Sequence, residues 1–121
     1  MTIDVEKKVM KLFRFDFQHG RVDTTMHPCC FDVPSDVRIA IRPDPKNLSA
    51  MLFDIIHEVG HAMYNQNLPS HLHGSAIGDY RSLGVHESQS LFFEMQLGRS
   101  KTFIDLLSEK LDISVITIHP F

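Results

Sequence analysis

Tryptophan is absent from the chain, and cysteine occurs only as the adjacent pair Cys29-Cys30. Neighbouring cysteines cannot close a bridge near preferred disulfide geometry, so a disulfide framework is excluded and two reduced thiols are expected. That usage, and a compartment that keeps thiols reduced, fit a cytoplasmic protein. With no second cysteine pair, a thiolate metal site is not expected either. No stretch approaches the ~18 consecutive apolar residues of a membrane helix, so no membrane partner is expected. Residues 1–13, MTIDVEKKVMKLF, contain neither an apolar h-region nor a small-residue cleavage site, which argues against a secretory signal. A formal net charge of -3 and the lack of any basic run remove the electrostatic case for nucleic acid.

Histidine is what the chain has in excess. There are eight in 121 residues, several of them between positions 57 and 86. Hydrophobic residues make up 43% and charged residues 22%, ordinary for a globular core. No internal repeat or low-complexity tract interrupts the sequence.

Hydrophobic periodicity predicts a mainly α chain with a small antiparallel β ribbon. Ile3, Val5, Val9, Met10, Leu12 and Phe13 mark a short first helix. Residues 36–42 alternate, with Val37, Ile39 and Ile41 on one face and Asp36, Arg38 and Arg42 on the other, as in a half-buried strand. Pieces around residues 15–17 and 22–26 are expected to pair with it. Pro43 and Pro45 stop the strand. A long helix then starts near Asp44 or Asn47 and carries Leu48, Met51, Leu52, Ile55, Ile56, Val59 and Met63 at helical spacing. It should end near residues 65–67, ahead of Pro69. After a loop rich in Ser, His and Gly, a second helix is expected over about 85–97, closed by Gly98, and a third over 101–111.

The long helix contains His57-Glu58-Val59-Gly60-His61, the HExxH pattern. Residues four apart differ by only about 40° around a helix, so both imidazoles share a face and can converge on one ion. Glu58 projects about 100° from His57, poorly placed as a ligand but able to reach a water beside the ion. A bland alternative makes the histidines the polar edge of an amphipathic helix. Two details oppose it. Ile55, Ile56, Val59, Ala62 and Met63 flank the pair with apolar side chains. Gly60, at a cost of ~1 kcal/mol against Ala mid-helix, implies close approach by another element. A catalytic zinc site usually takes three protein ligands, and His86-Glu87-Ser88-Gln89 on the second helix offers two neighbours for the third place. Spacing alone does not choose between His86 and Glu87.

Taken together, these motifs resemble the carboxypeptidase Taq family of metallocarboxypeptidases, whose members carry HExxH followed by HES(or G)Q. Gly60-His61-Ala62 with Tyr64, Ser82-Leu83-Gly84 and Gly98-Arg99-Ser100 fit the same pattern. So do Asp16-Phe17, Gly20-Arg21 and Asp23 ahead of His27-Pro28, and Asp36-Val37-Arg38-Ile39. The likeness covers roughly residues 13–107. It departs at Cys29, Ala40, Leu91 and Phe93, where the family has Phe, Thr, Arg and Trp. The resemblance implies a largely helical hydrolase that removes C-terminal residues from peptides. It implies His57, His61 and Glu87 as ligands to one divalent metal, zinc by default with cobalt as the alternative, and Glu58 as the catalytic general base. Arg38, in a matched motif, has the best claim among the arginines to grip a substrate carboxylate. Asp36 and His27 would brace the edge of the site, and His71 and His73 would be solvated.

Family members are several times longer, and the downstream segments IRxxAD and GxxQDxHW do not occur in this sequence. Residues 1–121 are therefore expected to form a single partial domain, the metal-binding centre of a larger helical carboxypeptidase. Homodimers are usual in the family. A partner chain supplying the missing part is the other expectation, and a non-catalytic remnant that binds metal is the rival reading. The apolar backs of residues 48–63 and 91–97 are expected to be partly uncovered.

Overall fold

In a computed structural model of the protein, which describes residues 2–118, the expected helices and central strand are present and the sheet is wired differently from the expectation. Helix α1 (Thr2–Leu12) buries Val9 and Met10 in the core. Strands β1 (Gly20–Thr24), β2 (Cys29–Val33) and β3 (Asp36–Ile41) form one sheet in the order β1-β3-β2. Val37, Ile39 and Ile41 are fully buried, as their alternation predicts.

The antiparallel ribbon holds for only one pair. β2 and β3 form a hairpin across Pro34-Ser35 with Val33 opposite Asp36, whereas β1 runs parallel to β3 with Gly20 opposite Val37. Short links make successive strands alternate in direction, so the first and third point the same way. β3 carries the most buried side chains and takes the centre, where both its edges are paired. β1 can then reach only its far edge, which imposes the parallel pairing. Residues 15–17 lie outside any strand, with Phe15 buried, and β2 had no alternating signal to announce it.

The chain pivots on α2 (Leu48–Gln66). Asn47 caps it by accepting from the Ala50 N–H at 3.1 Å, while Asp44 instead closes the preceding turn on Lys46 and Asn47. Met51, Leu52, Ile55, Ile56, Val59 and Ala62 are buried between α1, the sheet and later helices. The expectation of an uncovered back on this helix is therefore wrong: the sheet and α1 supply the cover. After a 3-10 turn (Ser70–Leu72) come α3 (Leu83–Leu91), continuing as a π-helical segment (Phe92–Gly98), then α4 (Lys101–Leu111) and α5 (Val115–Ile118). Ser82 and Ser100 cap α3 and α4 through their hydroxyls. On the outer face of α3 and the π segment, Leu91, Phe92 and Met95 are exposed, in line with the expectation for that stretch. No helix among the described residues is long and apolar enough to cross a membrane.

Gly60 is the close approach that its mid-helix position implied. A Cβ there would lie 2.6 Å from Ser90 Cα and 3.0 Å from the Gln89 carbonyl oxygen, both backbone atoms that cannot step aside. Gly60→Ala should therefore destabilise the protein by about 1–3 kcal/mol through overpacking, despite alanine's better helix propensity. Thermal denaturation decides the sign: a raised melting temperature would mean the two helices are not in contact at this point.

Candidate metal centre

The packing of α3 on α2 brings three potential ligands together. His57 and His61 sit one turn apart on α2 with ring centroids 5.0 Å apart. Glu87 faces both from α3, its Oε1 3.6 Å from His57 Nε2 and its Oε2 3.2 Å from His61 Nε2. One ligand atom from each of the three lies within 4.8 Å of the others. Ligands ~2.0–2.1 Å from a tetrahedral ion stand about 3.3 Å apart, so this donor set fits a zinc-sized cation. Of the two neighbours left open by spacing, Glu87 faces the Nε2 atoms and His86 does not.

The nitrogens on the far side of both rings are engaged. His57 Nδ1 lies 3.0 Å from Glu94 Oε2, and Glu94 Oε1 in turn accepts from Arg99 Nη2 at 3.1 Å. The Arg99 guanidinium sits 4.2 Å from the centre of the Phe53 ring. His61 Nδ1 meets His86 Nδ1 at 2.5 Å, and His86 Nε2 meets Asn65 Oδ1 at 3.0 Å. His86 and Asn65 are both buried. These contacts follow from antiparallel helices: residues 86, 90 and 94 step one way along α3 and the π segment while residues 61, 60 and 57 step the other way along α2.

Glu58 lies beside this cluster, 7% exposed, with Oε2 lacking any hydrogen-bond partner. Burial pushes its pKa up to about 7; His57 opposes that rise, and Asp54 and Glu87 add to it. A carboxylate with that pKa suits proton transfer near neutrality. Glu58, His61 and Glu87 border an open cavity of about 430 Å³ that is also lined by Tyr80, Leu83, Cys29 and Cys30.

Its lining contains no arginine among the described residues. Arg38, favoured from sequence as a carboxylate grip, instead donates to Asp36 at 2.6 Å and borders a separate depression against the sheet. His27, His71 and His73 are exposed, none of them in the cavity wall. Sequence reasoning missed Glu94, Asn65 and Tyr80, and it singled out Arg99 only as part of Gly98-Arg99-Ser100 without its pairing to Glu94. Glu94 follows Glu87 by seven residues, two helical turns on the same face, and that spacing was available as a signal. Tyr80 lies in an aperiodic loop that offered none.

The sequence matches the family described as carboxypeptidase Taq (M32) metallopeptidase over residues 1–116, and the chain belongs to that family. It is 46% identical over 90 residues to carboxypeptidase 1 of Bacillus subtilis, covering 74% of this chain and 18% of that protein. It is likewise 46% identical over 92 residues to thermostable carboxypeptidase 1 of Thermus thermophilus, again covering 74% and 18%. The fold superposes on Trypanosoma cruzi metallocarboxypeptidase 1 with a TM-score of 0.85 and 40% identity, over 91% of this chain and 22% of that one. The chain thus spans about a fifth of the length of the relatives it matches.

The buried Glu58 predicts a pH dependence in the metal-free protein. Its folded pKa of about 7 lies above the ordinary carboxyl value of 4.5, so the folded state binds the extra proton and the group destabilises the fold as pH rises between those values. In the presence of chelator, Glu58→Gln should raise the melting temperature at pH 8 and change it much less at pH 4. An equal effect at both values would contradict the raised pKa.

Proposed function

We propose that this chain forms the catalytic metal centre of a metallocarboxypeptidase that hydrolyses the C-terminal bond of peptides, with His57, His61 and Glu87 as ligands. The observation that carries the reading is the convergence of two imidazoles and one carboxylate beside a buried Glu58 whose Oε2 has no hydrogen-bond partner. The donor set suits zinc, with cobalt as the alternative. When bound, the ion supplies Lewis acidity, polarising a carbonyl oxygen and making a neighbouring water more acidic. Glu58 takes the proton from the attacking water. The water oxygen bonds to the carbonyl carbon, the C–N bond breaks, and Glu58 returns the proton to the departing amine.

An exopeptidase must also hold the substrate's free carboxylate, and arginine suits that task because its fork is bidentate. The described cavity wall offers none. In our reading residues 1–121 act as a partial domain within a cytoplasmic assembly, in which a further segment or a second chain supplies the anchor. The exposed Leu91, Phe92 and Met95 give that partner an apolar surface to cover. Losing substrate positioning removes many powers of ten in rate, so the 121-residue chain alone should release C-terminal residues very slowly even when loaded with metal.

Ligand and base are separable by mutation. Glu87→Ala should weaken zinc binding more than His86→Ala does, because removing a ligand exceeds the ~10–100-fold effect of losing an outer partner. Glu58→Gln should keep stoichiometric metal and lose whatever hydrolysis the parent protein shows. Metal content by elemental analysis and C-terminal release by mass spectrometry read both. Loss of metal from the Glu58→Gln protein, or a reversed ranking of Glu87 and His86, would overturn the assignment.

A further inference from the structure

Each imidazole of the HExxH pair turns Nε2 toward Glu87 and Nδ1 away from it, and each Nδ1 meets a polar group. Building on the metal centre proposed above, we infer that His86 backed by Asn65, and Glu94 backed by Arg99, are positioning residues that fix His57 and His61 as Nε2 ligands. A ligating nitrogen must present a lone pair, so each ring's proton has to sit on Nδ1. At His57 the requirement is met directly, because Glu94 Oε2 accepts that proton at 3.0 Å.

The His61 side needs a longer relay. Its Nδ1 faces another Nδ1, that of His86, and two N–H groups cannot point at one another. His86 must therefore accept there and carry its own proton on Nε2, where Asn65 Oδ1 accepts at 3.0 Å. Donation runs outward, from His61 to His86 to Asn65. Tyr64 and Tyr80 meet the His86 ring edge-on at 5.2 and 5.1 Å and hold its plane. The direction depends on one amide. Asn65 is 1% exposed and its Nδ2 has no hydrogen-bond partner. Turning that amide round would aim an NH₂ at His86 Nε2 and move the His86 proton to Nδ1. His61 would then keep its proton on Nε2, the atom the metal needs. A buried asparagine two contacts beyond the ligand His61 thus sets whether that ligand is available.

The relay is tested by zinc affinity and by ring-nitrogen NMR on the 121-residue chain. Asn65→Asp preserves the acceptor and should retain zinc affinity, whereas Asn65→Leu and Glu94→Ala should each weaken it by about 10–100-fold. Equal losses in Asn65→Asp and Asn65→Leu would show that the amide acts as a donor and overturn the relay. In the unmodified, zinc-loaded chain, where no variant has to fold, His57 and His61 should be protonated at Nδ1 and zinc-bound at Nε2, with His86 protonated at Nε2. Zinc lost on Glu87→Ala, together with a His61 bound through Nδ1, would leave the proposed centre standing and refute the relay. A parent chain that takes up no zinc would refute both.

Discussion

The candidate metal centre depends on how closely α2 and α3 approach each other. Glu87 reaches His57 and His61 from a second helix, and the two backbones come close at Gly60, where a Cβ would lie 2.6 Å from Ser90 Cα. That contact sets the distance from Glu87 to His57 and His61, and it places His86 and Glu94 on either side of Glu87 within reach of the same two rings. The helix-weakening glycine in α2 is thus a geometric requirement of the site. The rest of the core supports it from behind: α1 and the buried face of β3 pack on the other side of α2 and leave it no room to shift.

Electrostatics and packing work against each other at Glu58. The same burial that secures α2 leaves its carboxylate under-solvated and raises its pKa toward neutrality. A surface glutamate would be ionised well below neutral pH and would be a poor proton carrier in both directions. The cavity beside it is polar on the histidine side and bounded by Tyr80, Leu83 and the two thiols elsewhere.

The site was more legible in the sequence than the sheet was. HExxH fixes its own geometry, because four residues along a helix always bring two side chains to one face, and Gly60 advertised a close contact. Glu87 was singled out by the family resemblance, since His86 satisfied the spacing equally well; in the packed helices Glu87 is the neighbour that faces both Nε2 atoms. β1 was anticipated only as a piece around residues 22–26 with the wrong direction, and β2 not at all, because pairing and direction depend on which strand takes the centre. Glu94 could have been found from its seven-residue spacing to Glu87, but the pairings of Asn65 with His86 and of Arg99 with Glu94 are contacts that periodicity within one element does not register. Arg38 illustrates the converse. It lies in a matched motif, yet the pleat of β3 turns it away from the buried face, where Asp36 pairs with it.

The central claim is that two imidazoles and one carboxylate, and neither cysteine, hold a single ion. X-ray absorption at the zinc edge of the loaded chain tests it directly. The account predicts a first shell of nitrogen and oxygen only, at ~2.0–2.1 Å, with the multiple-scattering signature of two imidazoles that drops to one in His61→Ala. Sulfur scattering near ~2.3 Å would place Cys29 or Cys30 on the metal and contradict it.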